Sequence, residues 1–314
     1  MTFAIETTNL TKRYGSLTAV NKLNLKVERG TIHGFLGPNG AGKSTTIKIL
    51  VGLLKATEGS AKVLGQEVRV DDANQRLHVG YMPELPKFPK HLKGAELLDI
   101  YGRMYGMNQQ DRQTQISKLV ELVGLKGREN DLIGKYSKGM QQRIGIAQAL
   151  LNNPELVVLD EPSIGLDPVG MVEVRELVKA ISKEGMTVLV SSHLLFEVEQ
   201  ICTHVTIINR GEALASDTLE KVSGMISGPA TIQVEIANLA EPVIKALKAL
   251  PIVKDITRNS SSLNVFVNTR EDVRKQVSLA ITGAGGVIVG MNQKSHSLED
   301  VFIQLINKPS GGKQ

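Results

Sequence analysis

Short runs of consecutive apolar residues recur along the first two thirds of the chain. TIHGFLG (31–37), LVVLDEP (156–162) and TVLVSSH (187–193) predict strands that are buried on both faces. STTIKILVGLL (44–54) follows the first run with apolar residues at helical spacing. Strands that alternate with helices predict an α/β core with a parallel sheet and crossover helices.

A helical stretch interrupts this pattern between about residues 93 and 150. Within it, GAELLDIYGRMYGM and DRQTQISKLVELVGL both place apolar residues three and four positions apart. We therefore expect a helical subdomain inserted into an α/β domain that spans residues 1–221.

The pattern changes again near residues 222–230, where glycines and a proline predict a linker. Beyond the linker, alternating and helical segments follow in the order βαββαβ, which predicts a small ferredoxin-like α+β domain over residues 231–308. SLEDVFIQLINK (297–308) is expected to be its last helix, and residues 309–314 a frayed tail.

The composition is that of a soluble globular protein, with 41% hydrophobic and 22% charged residues among 314. The N-terminus lacks a signal-peptide pattern, and no apolar run approaches the roughly 20 residues that a membrane-spanning helix needs. The single cysteine, Cys202, excludes an intramolecular disulfide and fits a reducing compartment. A scattered net charge of +5 and only 4% aromatic residues argue against a nucleic-acid surface.

The segment GPNGAGKST (37–45) matches the phosphate-binding pattern G-x-x-x-x-G-K-[ST], between a predicted strand and a predicted helix. Its glycines let successive backbone N–H groups point at phosphate oxygens, and the helix N-terminus adds a favourable dipole. Lys43 is expected to reach the β- and γ-phosphates of a nucleotide. Ser44 would offer its hydroxyl to Mg²⁺, and Thr45 would support the phosphates.

Two adjacent carboxylates end the second buried strand, at the edge where parallel sheets bind ligands. Asp160 is predicted to hold Mg²⁺ through water, and Glu161 to polarise the attacking water. The segment YSKGMQQR (136–143) precedes this strand and opens a helix. Ser137 and Gly139 would therefore form an anion receptor at the helix N-terminus.

In combination, these segments resemble the nucleotide-binding subunit of ABC transporters. The phosphate loop, YSKGMQQR, LVVLDEP, SIGLDP (163–168) and SSH (191–193) stand in that family's order and spacing, over roughly residues 1–220. The resemblance implies a P-loop NTPase fold that binds ATP and Mg²⁺. It also implies that two such domains sandwich two ATP molecules, each signature loop contacting the γ-phosphate held by the partner.

Individual roles follow from the same resemblance. Tyr14 corresponds to the aromatic residue that stacks on adenine, and Asp167 to the loop that couples the two ATP sites. Glu161 corresponds to the catalytic base, and His193 to the residue that steadies the γ-phosphate. The expected nucleotide contacts are Tyr14, Val20, Asn39, Gly40, Ala41, Gly42, Lys43, Ser44, Thr45, Ser137, Lys138 and Gly139.

Two positions depart from the family pattern. The usual LSGGQ signature is YSKGM here, with Lys138 in place of a glycine, although the serine and second glycine of the anion receptor remain. Glu84, in YMPELP (81–86), stands where the family usually has a glutamine that reaches Mg²⁺ and the attacking water. Because a carboxylate retains a hard oxygen ligand, we expect Glu84 to join Ser44 and Asp160 at the metal and to act in catalysis.

The C-terminal module resembles the tail of ATPase subunits from ABC-2-type exporters. We therefore expect an ATP-hydrolysing subunit on the cytoplasmic face of the membrane, which powers a separately encoded permease as a homodimer or a heterodimer. No nucleic acid is expected as a partner. Two alternatives remain: a soluble ABC-type ATP switch acting on DNA or the ribosome, and a degenerate module that binds nucleotide without hydrolysing it.

Overall fold

The computed structural model describes residues 3–70, 72–225, 230–259, 262–269, 271–294 and 298–307. The chain forms two compact units, Met1–Val222 and Ser223–Gln314, and each has its own hydrophobic core. Within the described ranges, no helix is both long and apolar enough to cross a membrane.

The first unit contains eleven described strands and eight α-helices. The strands are β1 (Phe3–Tyr14), β2 (Leu17–Leu23), β3 (Lys26–Glu28), β4 (Ile32–Leu36), β5 (Glu58–Val63), β6 (Gln66–Glu67), β7 (Val79–Met82), β8 (Leu156–Asp160), β9 (Thr187–Ser192), β10 (His204–Asn209) and β11 (Glu212–Thr218). The helices are α1 (Lys43–Leu50), α2 (Ala73–Leu77), α3 (Gly94–Met104), α4 (Gln109–Leu122), α5 (Lys138–Leu150), α6 (Pro168–Lys183), α7 (Leu195–Ile201) and α8 (Leu219–Ser223), with a short 3-10 helix at Ile133–Lys135.

A mainly parallel sheet of six strands forms the centre of this unit. The strand order is β11-β10-β4-β9-β8-β7, in which β11 runs antiparallel to β10 and the other neighbours are parallel. The three strands predicted from apolar runs are present as β4, β8 and β9, and all their residues are buried. The helix predicted over 44–54 begins at Lys43 and ends at Leu50, because Gly52 adopts a left-handed φ of 70°.

The first unit also contains a second, antiparallel sheet, which is not predicted from the sequence. It consists of β1, β2, β3, β5 and β6, with β1 paired to three neighbours. The pairing of β1 with β2 and with β5 shifts register, so a simple alternation of apolar and polar residues is lost along its length. One core cluster includes residues of both sheets, such as Ala4 and Phe35.

The stretch predicted to be helical, residues 93–150, contains α3, α4, the 3-10 helix and α5. Asn108 caps α4, and Ser137 caps α5 by accepting the N–H of Met140 at 3.2 Å. α5 lies close against β7, where a Cβ at Gly145 would lie 3.1 Å from Sδ of Met82. This contact ties the helical stretch to the parallel sheet.

The second unit is a ferredoxin-like α+β fold, as predicted. Its elements are β12 (Ala230–Ile236), α9 (Glu241–Lys248), β13 (Val253–Asn259), β14 (Ser262–Val267), α10 (Arg274–Gly283), β15 (Ile288–Lys294) and α11 (Leu298–Asn307). The strand order β13-β14-β12-β15 is antiparallel throughout, and alternate residues of β12 and β14 enter the core. Residues 226–229 of the predicted linker and the predicted tail 309–314 lie outside the described residues.

Candidate active site

The carboxyl ends of four parallel strands meet at one cavity of about 560 Å³. The phosphate loop follows β4, Glu84 follows β7, Glu161 follows β8, and His193 follows β9. The residues that line the cavity are Tyr14, Leu17, Ala19, Pro38, Asn39, Gly40, Gly42, Lys43, Ser44, Thr45, Glu84, Glu161, Ile164 and His193. Parallel pairing thus brings together groups that lie far apart in the sequence.

The phosphate loop requires a glycine at the start of α1. Gly42 has a φ of 104°, and a Cβ at this position would collide with the carbonyl oxygen of Ala19. Lys43 begins the helix, so the first N–H groups of α1 stand at the cavity without partners from earlier in the helix. Ala41 differs from its neighbours: its side chain lies in the core, and its N–H donates to the carbonyl of Pro38 at 3.1 Å.

Lys43, Glu161 and His193 form a continuous chain of polar contacts in the cavity. Nζ of Lys43 donates to the carbonyl oxygen of Gly37 at 2.7 Å and lies 3.2 Å from Oε1 of Glu161. Oε2 of Glu161 lies 2.8 Å from Nδ1 of His193. Lys43 and Glu161 are each only 6% exposed, so little water screens their ion pair.

The backbone of Glu161 adopts a conformation that is rare for this residue type. Its φ of 51° lies in the left-handed region, which non-glycine residues occupy mainly where the surroundings enforce it. The N–H of Glu161 donates to the hydroxyl of Ser191 at 2.9 Å. This turn at the end of β8 places the carboxylate in the cavity.

Asp160, the last residue of β8, is held by the same serine. Oδ1 of Asp160 accepts from the Ser191 hydroxyl at 2.6 Å, and Asp160 is 2% exposed. Ser191 was not among the site residues predicted from the sequence. The SSH segment contained it, but only the pairing of β8 with β9 shows that Ser191 stands opposite Asp160.

Tyr14 stands at the side of the cavity formed by β1 and β2. Its side chain is 48% exposed, and Nζ of Lys12 lies 5.2 Å from the ring centroid. Leu17 and Ala19 line the cavity beside it, and neither is predicted from the sequence. The prediction that Val20 contacts nucleotide is wrong, because Val20 has no exposed surface and points into the core. Successive residues of a strand face opposite sides, so Ala19 faces the cavity instead.

Glu84 lines the cavity and also connects it to the helical stretch. Its carbonyl oxygen accepts from Nε2 of Gln142 in α5 at 3.5 Å. Burial raises the pKa of the nearby Tyr81 to about 12, with smaller contributions from the charges of Asp160 and Glu84. Both carboxylates therefore act electrostatically on the same half-buried tyrosine.

The signature residues Ser137, Lys138 and Gly139, together with Asp167, do not line this cavity. Ser137 caps α5, and Asp167 caps α6 by accepting a backbone N–H at 2.8 Å. The amine of Lys138 packs against Gly165, where a Cβ would collide with it. One chain therefore carries these residues at helix N-termini that are separate from its own phosphate loop.

Comparison with known proteins agrees with this geometry. The ABC transporter family model matches residues 20–164. The bacitracin transport ATP-binding protein BcrA of Bacillus licheniformis is 44% identical over 310 residues, which cover 98% of each chain. The linearmycin resistance ATP-binding protein LnrL of Bacillus subtilis is 32% identical over 307 residues, covering 97% of this chain and 98% of that protein.

A solved structure extends the comparison to three dimensions. A dimeric ATP-binding cassette in a post-hydrolysis state, bound to ADP and Pi, superposes with a TM-score of 0.63 at 25% identity, covering 68% of this chain and 98% of that one. The chain therefore belongs to the ABC transporter family, in which it is an ATP-binding subunit that hydrolyses ATP.

Proposed function

We propose that the cavity hydrolyses ATP with Glu161 as the general base. The observation that supports this most directly is the contact chain beside the phosphate loop, which runs from the buried Lys43 and Glu161 to the exposed His193. A γ-phosphate that attracts the Lys43 ammonium would draw it away from Oε1 of Glu161. That oxygen could then accept a proton from the attacking water, while His193 keeps the carboxylate oriented through Oε2.

The donor atoms around the phosphate loop suit Mg²⁺. Ser44 and Glu84 line the cavity and offer a hydroxyl and a carboxylate oxygen, the ligand type that Mg²⁺ prefers. Asp160 is 2% exposed and does not line the cavity, so it would hold Mg²⁺ through water. Among the described residues, no group of three or more His, Cys, Asp or Glu could hold a metal by itself. The remaining ligands of a Mg²⁺ here would therefore be ATP phosphates and water. Bound Mg²⁺ would neutralise charge on the phosphoryl group that is transferred.

We further propose that each working site is completed by a second ATPase chain, in a homodimer or a heterodimer. Ser137, Lys138, Gly139 and Asp167 lie outside the cavity of their own chain, at the N-termini of α5 and α6. Helix N-termini bind anions, so a second chain could present Ser137 and Gly139 to the γ-phosphate held by the first.

A mixing experiment tests this arrangement. Lys43→Ala and Ser137→Arg chains are each expected to be inactive alone. Mixed in equal amounts they should recover ATP hydrolysis, because one site of the mixed dimer then combines an intact phosphate loop with an intact signature. Lys43→Ala mixed with Glu161→Gln is the control, since every composite site then contains a lesion. Absence of recovery in the first mixture would contradict the two-chain site.

We propose that the partner driven by this ATPase is an ABC-2-type permease, which holds the subunit at the cytoplasmic face of the membrane. A groove of about 910 Å³ between α3 and α4 offers a surface for it. Apolar residues including Ile100 and Val120 form part of the groove. Its two cations, Arg103 and Lys126, pair with Asp99 and Glu121, and the further carboxylates of Glu96 and Glu129 leave the groove acidic. Oε2 of Glu129 is buried and has no hydrogen-bond partner in the described part of the chain. These features suit a short amphipathic helix with a basic residue.

Membrane recruitment tests the docking surface and excludes a soluble ATP switch. When the chain is co-expressed with its permease, Ile100→Asp and Glu129→Gln are each expected to shift it from the membrane fraction to the supernatant. Leu53→Asp, at a position that is also exposed in the first unit, should remain with the membrane. Recovery of the parent chain with ribosomes or DNA, and none with membranes, would refute the transporter assignment.

The names of two relatives suggest a class of cargo. Because BcrA is named for bacitracin transport and LnrL for linearmycin resistance, we propose that this subunit powers export of an antimicrobial compound. Cells that lack the subunit should become more sensitive to such compounds, and the parent gene should restore resistance while Glu161→Gln should not. Equal sensitivity with and without the subunit, across bacitracin and linearmycin, would exclude these cargos.

A further inference from the structure

Ser191 is a buried residue of β9 that contacts both carboxylate-bearing residues of the site. It has 0% exposed surface and lies in the strand between β4 and β8. Its hydroxyl donates to Oδ1 of Asp160 at 2.6 Å and accepts the N–H of Glu161 at 2.9 Å. One hydroxyl therefore donates one hydrogen bond and accepts another, and the two bonds join it to consecutive residues at the end of the neighbouring strand.

The two hydrogen bonds hold the end of β8, where Glu161 has an unfavourable backbone conformation. Glu161 has a φ of 51°, a conformation that persists only when surrounding contacts enforce it. The bond from its N–H to Ser191 is one such contact, and the other bond fixes the carboxylate of Asp160. Neither Glu161 nor Asp160 could rotate about the end of β8 without breaking a bond to the same oxygen.

We propose that Ser191 is a positioning residue for ATP hydrolysis, whose single hydroxyl fixes the Asp160 carboxylate and the Glu161 backbone relative to each other. This inference rests on the roles proposed above for Asp160 and Glu161. Ser191 itself does not line the cavity, so it acts through these two residues rather than on the nucleotide.

The full-length Ser191→Ala variant tests the inference with three measurements. The kcat for ATP should fall about 10- to 100-fold, which corresponds to the loss of a hydrogen bond to a charged group. ATP affinity measured in EDTA should stay within about twofold, because the hydroxyl is remote from the nucleotide contacts. In nucleotide-free protein, the amide of Glu161 should exchange with deuterium faster than in the parent, which reports the lost bond without any catalysis.

Two further variants separate positioning from general loosening of β9. Thr187→Val removes a buried hydroxyl from the other end of the strand, where Thr187 is 3% exposed and accepts the N–H of Gly30 at 3.0 Å. This control should keep the parental kcat. Ser191→Cys retains a weak donor on a slightly larger side chain, so its kcat should lie between those of the alanine variant and the parent. It also provides the comparison if the alanine variant does not fold.

Parental kcat in both Ser191 variants, or an equal loss of kcat in Thr187→Val, would overturn the inference. The Glu161→Gln variant distinguishes a failure of this inference from a failure of the base assignment. If Glu161→Gln is inactive while the Ser191 variants hydrolyse ATP normally, only the role of Ser191 fails. If Glu161→Gln remains active, the proposed catalytic site itself is wrong.

Discussion

Replacing Glu161 with glutamine should separate ATP binding from ATP hydrolysis. In this structure Oε1 of Glu161 lies 3.2 Å from Nζ of Lys43, and both side chains are more than nine-tenths buried. At an effective dielectric constant of 20, two unit charges at this distance attract by about 5 kcal/mol. Desolvation cancels much of that attraction, and Lys43 keeps its bond to the Gly37 carbonyl, so we take a net competing contribution of about 1–2 kcal/mol.

Binding of the γ-phosphate must break the ion pair between Lys43 and Glu161. In Glu161→Gln this ion pair is absent, so Lys43 can bind the phosphate without that cost. The variant should therefore bind ATP roughly 5- to 30-fold more tightly, which converts the same 1–2 kcal/mol into affinity. Its turnover should fall by about 10²–10⁴, the usual contribution of a general base. The two effects have opposite signs, so a simple loss of folded protein cannot imitate them.

Phosphate release at saturating Mg²⁺-ATP measures the turnover, and calorimetric titration with ATP in EDTA measures the affinity. Glu155→Gln is the matched control, because Glu155 also pairs with a cation but is about half exposed, 2.7 Å from Arg29. It should change neither quantity, as expected for a surface ion pair. Parental turnover in Glu161→Gln would refute the base assignment, and parental affinity would refute the competition between Glu161 and phosphate for Lys43.

Three further predictions concern other parts of the first unit. Glu84→Gln should hydrolyse ATP at a rate within about tenfold of the parent, because an oxygen ligand remains. Glu84→Ala should reduce transport in vesicles that contain the permease more than it reduces ATP affinity. Unchanged transport in Glu84→Ala would mean that YMPELP (81–86) is a surface loop. Tyr14→Ala should weaken ATP binding by about 1–3 kcal/mol through lost stacking, leaving the affinity for inorganic triphosphate unchanged, and Tyr14→Phe should bind normally. Burial, with a smaller contribution from His204, lowers the pKa of His33 from 6.5 to about 3. Below pH 6.5 His33 is therefore protonated in the unfolded chain but stays neutral in the folded chain. Between pH 8 and pH 5 the free energy of unfolding should fall by about 2 kcal/mol as a result. In urea unfolding His33→Gln should lose less over that range, and an identical pH dependence would contradict the burial argument.

Much of the site could be predicted from local sequence because its chemistry is encoded in short segments. The phosphate loop follows a strand and opens a helix within nine residues, and its glycines are required by the backbone itself, as at Gly42. The pair Asp160 and Glu161 ends a continuous apolar run, and such runs are buried strands whose carboxyl ends bind ligands. The βαββαβ order of the second unit was likewise visible, because each strand and helix has its own period.

Tertiary structure decided which of these segments touch and which side chain of a segment is used. The Ser191 hydroxyl bonds Asp160 across 31 residues, and His193 meets Glu161 across 32, because β8 and β9 pair in parallel. Val20 is predicted from the sequence to contact the nucleotide, but in the folded strand Val20 is buried in the core and its neighbour Ala19 lines the cavity. The local pattern of apolar residues specifies whether a segment is a helix or a strand. Which face of that element is buried, and which elements pair with it, depends on contacts with residues that are distant in the sequence. The chemical groups were therefore evident from the chain alone, and their mutual geometry was a property of the folded sheet.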